Sequence, residues 1–201
     1  MAMAMKRTTR RTFWTVAIVL VAVGGYFAYR YYDASASRLP AAFSDARSKG
    51  GVISEDIVRL SEELKGDIVR ANDLDKQRKY QEASEVTAIA SMKVGEIRTR
   101  ALELTRELER MAGSLNSISK SDARQVARES IENRLELVKH LITYSEKATE
   151  FLVALEDHFG GAKNEDLIQQ LIYDINLEVE AINEFNRKAS EAMQRFDDLM
   201  Q

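Results

Sequence analysis

Residues 94–118 read VGEIRTRALELTRELERMAGSLNSI. Val94, Ile97, Ala101, Leu104, Leu108, Met111, Leu115 and Ile118 recur at alternating steps of three and four. That spacing is the a/d seam of a helix that winds around partner helices with a left-handed twist. Traced backwards, the seam passes Ala90, Thr87, Ala83 and Tyr80, and continued further it would meet Asp73 and Gly66 rather than Leu64 and Ile68. Ile57, Leu60, Leu64, Ile68 and Ala71 form a separate apolar face in a different register. The register change predicts a tight turn around 73–79, joining a helix at about 54–75 to one at about 79–118; a single kinked helix is the alternative, since no Gly or Pro marks the turn.

The same spacing recurs downstream. Ile131, Val138, Leu141, Ala148, Leu152, Leu155 and Phe159 predict a third helix at about 122–159, with Ser121 as its N-cap and Gly160-Gly161 as its stop. Ile168, Leu171, Ile175, Ile182, Phe185, Ala189, Phe196 and Leu199 line a fourth, at about 165–200. Short connections between long helices force neighbours to run antiparallel. The expected fold is therefore all-α: an elongated up-down bundle of three long helices and one shorter one, its seams filled by the chain's own helices. Upstream, Pro40 suits the start of a short helix over 39–48, and Gly50-Gly51 reads as a break before an N-cap at Ser54. Residues 33–53 are expected to be a linker.

A different pattern occupies the N-terminus. Phe13–Tyr32 reads FWTVAIVLVAVGGYFAYRYY, with Arg30 its single charge. About 20 mostly apolar residues suffice to cross a bilayer as a helix. Phe13 and Trp14 at one end and Tyr26, Tyr29, Tyr31 and Tyr32 at the other place aromatic rings at two membrane–water interfaces. Lys6, Arg7, Arg10 and Arg11 precede the run, and the positive-inside rule sets residues 1–12 in the cytoplasm as a basic tail. The expectation is a plasma (inner) membrane protein with a single span at 13–32 and residues 54–201 on the periplasmic or extracellular side. The competing expectation is a cleaved signal peptide, since Ala34-Ser35-Ala36 has the form a signal peptidase accepts. Gly24 and Ala28 form a small-xxx-small pair that would let two spans approach closely, so a homo-oligomer is carried as one partner expectation.

Charge separates the two parts. The chain has 201 residues, 29 Lys and Arg and 32 Asp and Glu. All 32 acids and 24 of the bases lie beyond residue 32, so that part carries −8. An acidic surface is a poor match for nucleic acid, whose phosphates need cations. There is no cysteine, which excludes disulfides, thiolate metal sites and thiol catalysis.

Searches for chemistry return little. A di-iron bundle needs Glu-x-x-His pairs. The two histidines, His140 and His158, do not make them: Glu136 stands four residues before His140. Met111 falls on the packing seam rather than opposite a histidine. Gly50-Gly51 and Gly160-Gly161 lack the context of a phosphate loop. Glu62-Glu63 and Asp197-Asp198 read as solvated faces. Asp75–Ala83, DKQRKYQEA, resembles the turn of a tetratricopeptide unit at Tyr80 and Ala83, yet no second copy follows about 34 residues on. It is read as a generic helix–turn–helix.

No catalytic, cofactor or metal residue is therefore expected, and the chain is read as a non-enzyme. Its expected role is protein–protein interaction, as a scaffold or accessory subunit of an envelope or surface assembly, with the lipid bilayer and other membrane or envelope proteins as partners. Two alternatives accompany it. One is a small-molecule sensor that signals through a partner, and the other is a cleaved periplasmic bundle of chaperone type.

Overall fold

In a computed structural model, residues 39–201 are described. Four helices follow one another: α1 (Ala41–Lys76), α2 (Tyr80–Ser114), α3 (Ser121–Phe159) and α4 (Glu165–Met200), with one 3₁₀ turn at Leu115–Ser117. At 35 to 39 residues each, they are about 53–58 Å long at 1.5 Å per residue. Among the described residues there is no strand. The helices alternate in direction. One end of the bundle, the base, holds the start of α1, the 115–120 connection and the end of α4. The other end, the tip, holds the 77–79 and 160–164 connections.

The first helix departs from the sequence expectation. It is a full-length α1, not a linker with a short helix followed by a helix at about 54–75, so the bundle has four helices of similar length rather than three long and one shorter. Gly50 and Gly51 lie inside it, both buried. Ser54 is no N-cap: it is mid-helix and buried, and its hydroxyl donates to the Gly50 carbonyl at 2.8 Å. Each glycine costs a helix interior only about 1 kcal/mol relative to alanine. Packing on both sides of the pair outweighs that. Phe43 and Ala46 are buried before it, and Ile57 and Leu60 after it. Gly50 faces α2, where a Cβ would stand at contact distance, 3.4 Å, from Leu104 Cδ1.

The principal core runs the length of the bundle, and the seam of α2 lies at its centre. Val94, Ile97, Leu104, Leu108, Met111 and Leu115 are all buried in that one cluster, together with side chains from α1, α3 and α4. The two hairpins, α1–α2 and α3–α4, meet chiefly along α2 and α3. At the base, α1 reaches α4 through Phe43 and Phe196, whose ring centroids are 5.4 Å apart. A small satellite core of Ala71, Leu74, Ala83 and Val86 closes the tip of the first hairpin, with Phe159 of α3 against it. Seam positions at the helix ends fare differently. Tyr80 and Leu199 are exposed, while Met200 is buried in place of Leu199.

Both tip connections use the same device. Arg78 takes the left-handed conformation, φ 60°, and Gly161 does so at φ 97°. The Lys79 N–H donates to the Leu74 carbonyl at 3.0 Å and the Arg78 N–H to Asp75 at 2.8 Å. Ala162 and Gly161 donate likewise to Asp157 and His158. These are Schellman closures, which satisfy the last carbonyls of a helix and suit glycine at the left-handed residue. Arginine fills that place after α1, so no glycine marks the turn in the sequence.

Three sets of variants test this architecture by chemical denaturation of the full chain. Gly66 and Gly95 lie inside helices with nothing within 4 Å of an added Cβ, so Gly66→Ala and Gly95→Ala should each stabilise by about 0.5–1 kcal/mol. Arg78→Gly should stabilise by up to about 1 kcal/mol through the left-handed site, and Gly161→Ala should destabilise. Phe196→Ala, at a fully buried ring, should cost about 3–5 kcal/mol. A loss under about 1 kcal/mol there would mean that α4 does not close the base.

Candidate functional site

Interhelical polar contacts are sparse and specific. The strongest lies at the base, where Arg47 of α1 donates two hydrogen bonds to the Asp197 carboxylate, at 2.6 and 2.7 Å. The two side chains retain only 14% and 28% of their exposure. Asp197 is therefore a cross-helix partner rather than part of a solvated acidic face, as Asp197-Asp198 was expected to be. Glu63 stays exposed, as expected of a solvated face, while it bonds Arg59 at 2.9 Å and approaches Lys93 of α2 at 3.4 Å. Its carboxyl is held below the ordinary range, first by Arg59 and then by Lys93. Lys93 bonds Asp67 at 2.7 Å, and that contact raises its pKa.

Inside the bundle, buried hydroxyls are satisfied locally. Ser61, Thr87 and Ser145 each donate to the carbonyl four residues back. Ser130 instead crosses from α3 to the Ala189 carbonyl of α4 at 2.8 Å. Arg134 is the one charged side chain among the described buried residues, at 5% exposure. Tyr144 is fully enclosed, and burial pushes its phenol well above the usual range.

The two histidines have separate surroundings. His140 Nδ1 lies 2.7 Å from Glu178 of α4, and the ring stacks on Phe185 with centroids 5.4 Å apart. The Lys188 ammonium sits 5.1 Å from the centre of the Phe185 ring, a cation–π distance. His158 is at the tip, edge-on to Phe159. Glu178 is thus the partner of His140, and Glu136, its sequence neighbour, bonds Lys139 instead. Among the described residues no group of three or more His, Asp and Glu side chains is placed to hold a metal ion. An open cleft of about 400 Å³ lies between α1 and α2, lined by Ser48, Lys49, Val52, Ile53, Glu103, Arg106 and Glu107.

The residues singled out from the sequence fall into two groups. The seam, Val94, Ile97, Leu104, Leu108, Met111 and Leu115, is covered by the chain's own helices. The anchor residues Phe13, Trp14, Gly24, Ala28, Tyr31 and Tyr32 and the topology-setting Lys6, Arg7, Arg10 and Arg11 lie outside the described residues. No helix among the described residues is long and apolar enough to cross a membrane. Scans against protein-family models, curated proteins and solved structures found no match to the chain.

The Arg47–Asp197 pair yields a measurable coupling. A double-mutant cycle of Arg47→Met and Asp197→Asn, read by denaturation, should give about 1–2 kcal/mol, as suits a part-buried, charge-assisted, two-pronged pair. The same cycle on Arg98 and Glu146, whose side chains keep about half their exposure, should give only a few tenths of a kcal/mol. Equal values would mean that the base pair is solvated.

Proposed function

We propose that the chain is a single-span membrane protein whose extracytoplasmic helical bundle works by binding other proteins, as a scaffold or accessory subunit of an envelope assembly. The observation that carries this is the arrangement of the apolar run and the bundle. Phe13–Tyr32 ends nine residues before α1 begins at Ala41. At about 3.3–3.6 Å per residue, that connection can span at most roughly 30 Å. A span at 13–32 would hold the base of the bundle near the bilayer, with the tip pointing away.

The outer surface supports a binding role. The internal seams are filled by the chain itself, so contact with partners falls to the outer faces. Those faces keep exposed apolar side chains, among them Val52, Met92, Leu102, Tyr173 and Leu177. A bundle braced by interhelical pairs at its base is a stiff spacer, suited to holding a partner at a set height above a membrane. The role proposed is one of binding rather than catalysis.

Extraction of membranes carrying the full chain tests the anchor. The protein should stay with the membrane pellet in alkaline carbonate, with an intact mass that includes residues 1–36. Leu20→Lys with Val21→Lys should release it, because each lysine near the centre of a span costs about 2.5–3.5 kcal/mol. Release of the unmodified chain, with a mature N-terminus at Ser37, would overturn the anchor in favour of the cleaved form.

A further inference from the structure

Tyr173 and Leu177 are one helical turn apart on α4, with 59% and 46% of their surface exposed. Residues four apart are neighbours on a helix surface, so these two form one apolar patch. Core positions such as Ile168, Leu171 and Ile175 occupy the opposite side of the same helix. No other helix of the bundle covers this outer face.

Charge around the patch is uneven. The described residues carry 23 Lys and Arg against 31 Asp and Glu, a net −8. The tip-side half of the α3–α4 hairpin, residues 141–182, holds nine of those acids and only two lysines, so it carries −7. Everything else described carries −1. Asp166 and Glu180 lie on the same side of α4 as the patch, seven residues before Tyr173 and three after Leu177, and both are exposed; Asp174, beside Tyr173, accepts a hydrogen bond from Gln170 at 2.8 Å. The excess lies in the tip-side half of this hairpin, the half to which Tyr173 and Leu177 belong.

We infer that this face of α4 docks a positively charged segment of another protein, whose apolar side chains cover Tyr173 and Leu177 while its lysines or arginines meet Asp166 and Glu180. Charge complementarity selects this occupant. A second copy of the chain would bring the same acidic face or a nearly neutral one, so it offers no attraction. Anionic lipid head groups would be repelled. Complementary potentials both steer encounter and reject like-charged partners. The inference rests on the proposed binding role and names the chemistry of the partner.

Site-specific photo-crosslinking of the full chain in its native membrane tests it. p-Benzoylphenylalanine is placed in turn at Tyr173 and Leu177, and at Met92 and Leu102 on α2 as controls, and the crosslinked peptides are sequenced by mass spectrometry. Positions 173 and 177 should crosslink to a different protein, at or beside a Lys/Arg-rich segment. The double variant Asp166→Lys/Glu180→Lys, with its helical circular dichroism unchanged, should lower the yield at least about fivefold, as should about 1 M salt. Crosslinks from 173 and 177 to another copy or to lipid alone would overturn the inference, as would a partner whose yield ignores charge reversal. Partners captured only from Met92 or Leu102 would overturn it too, while leaving the binding role standing. No protein captured from any of the four positions would overturn both.

Discussion

The structure depends on the seam of α2 being filled from within the same chain. Val94 through Leu115 present a continuous apolar edge, buried in one core with side chains of α1, α3 and α4. An isolated helix with this edge would seek a partner in another chain. Here three amphipathic neighbours are covalently near, so the edge is satisfied at the small entropic cost of closing short loops. The short connections set the antiparallel order, and burial along that seam holds it together. The order in turn fixes which ends share the base and which share the tip.

The base is the most firmly cross-braced part of the bundle. The base holds the start of α1 and the close of α4, bound together by the Phe43–Phe196 contact and the paired hydrogen bonds of Arg47 to Asp197. Force or orientation imposed on the N-terminal side of α1 would pass directly into α4 through these contacts. The outer face proposed for a basic partner belongs to that same helix. In a membrane-tethered chain, α4 would connect the tethered base to the docking face by one rigid element.

Much of the fold is legible in residue spacing, and the departures have physical causes. The seam of α2 is dense and long, so its buried side follows from periodicity alone. Gly50-Gly51 misleads because the cost of two helix glycines is local, while the packing of Phe43 and Ala46 that outweighs it is tertiary. Phe43 goes unnoticed for the same reason: as part of a supposed linker it has no face to belong to. The turn at 77–79 lacks glycine because Arg78 tolerates the left-handed site. Asp197 looks like half of a solvated acidic pair until α1 brings Arg47 against it from 150 residues away. The acidity of residues 141–182 could have been counted from the sequence, but only the hairpin shows that the count describes one end of one pair of helices. The two histidines stand out in the sequence, yet His140 finds Glu178 across a helix interface that no local motif encodes.

Closure of the bundle within one chain can be tested most directly at its base. The protein has no cysteine, so Arg47→Cys and Asp197→Cys introduce the only two thiols, at a contact that brings α1 to α4. A short bismaleimide is applied to the full chain, mixed with an excess of unmodified protein. An internal crosslink in single chains, in high yield and independent of the dilution, is the predicted result. Crosslinks between chains that fall with dilution, or none at all, would contradict a bundle whose four helices fill one another.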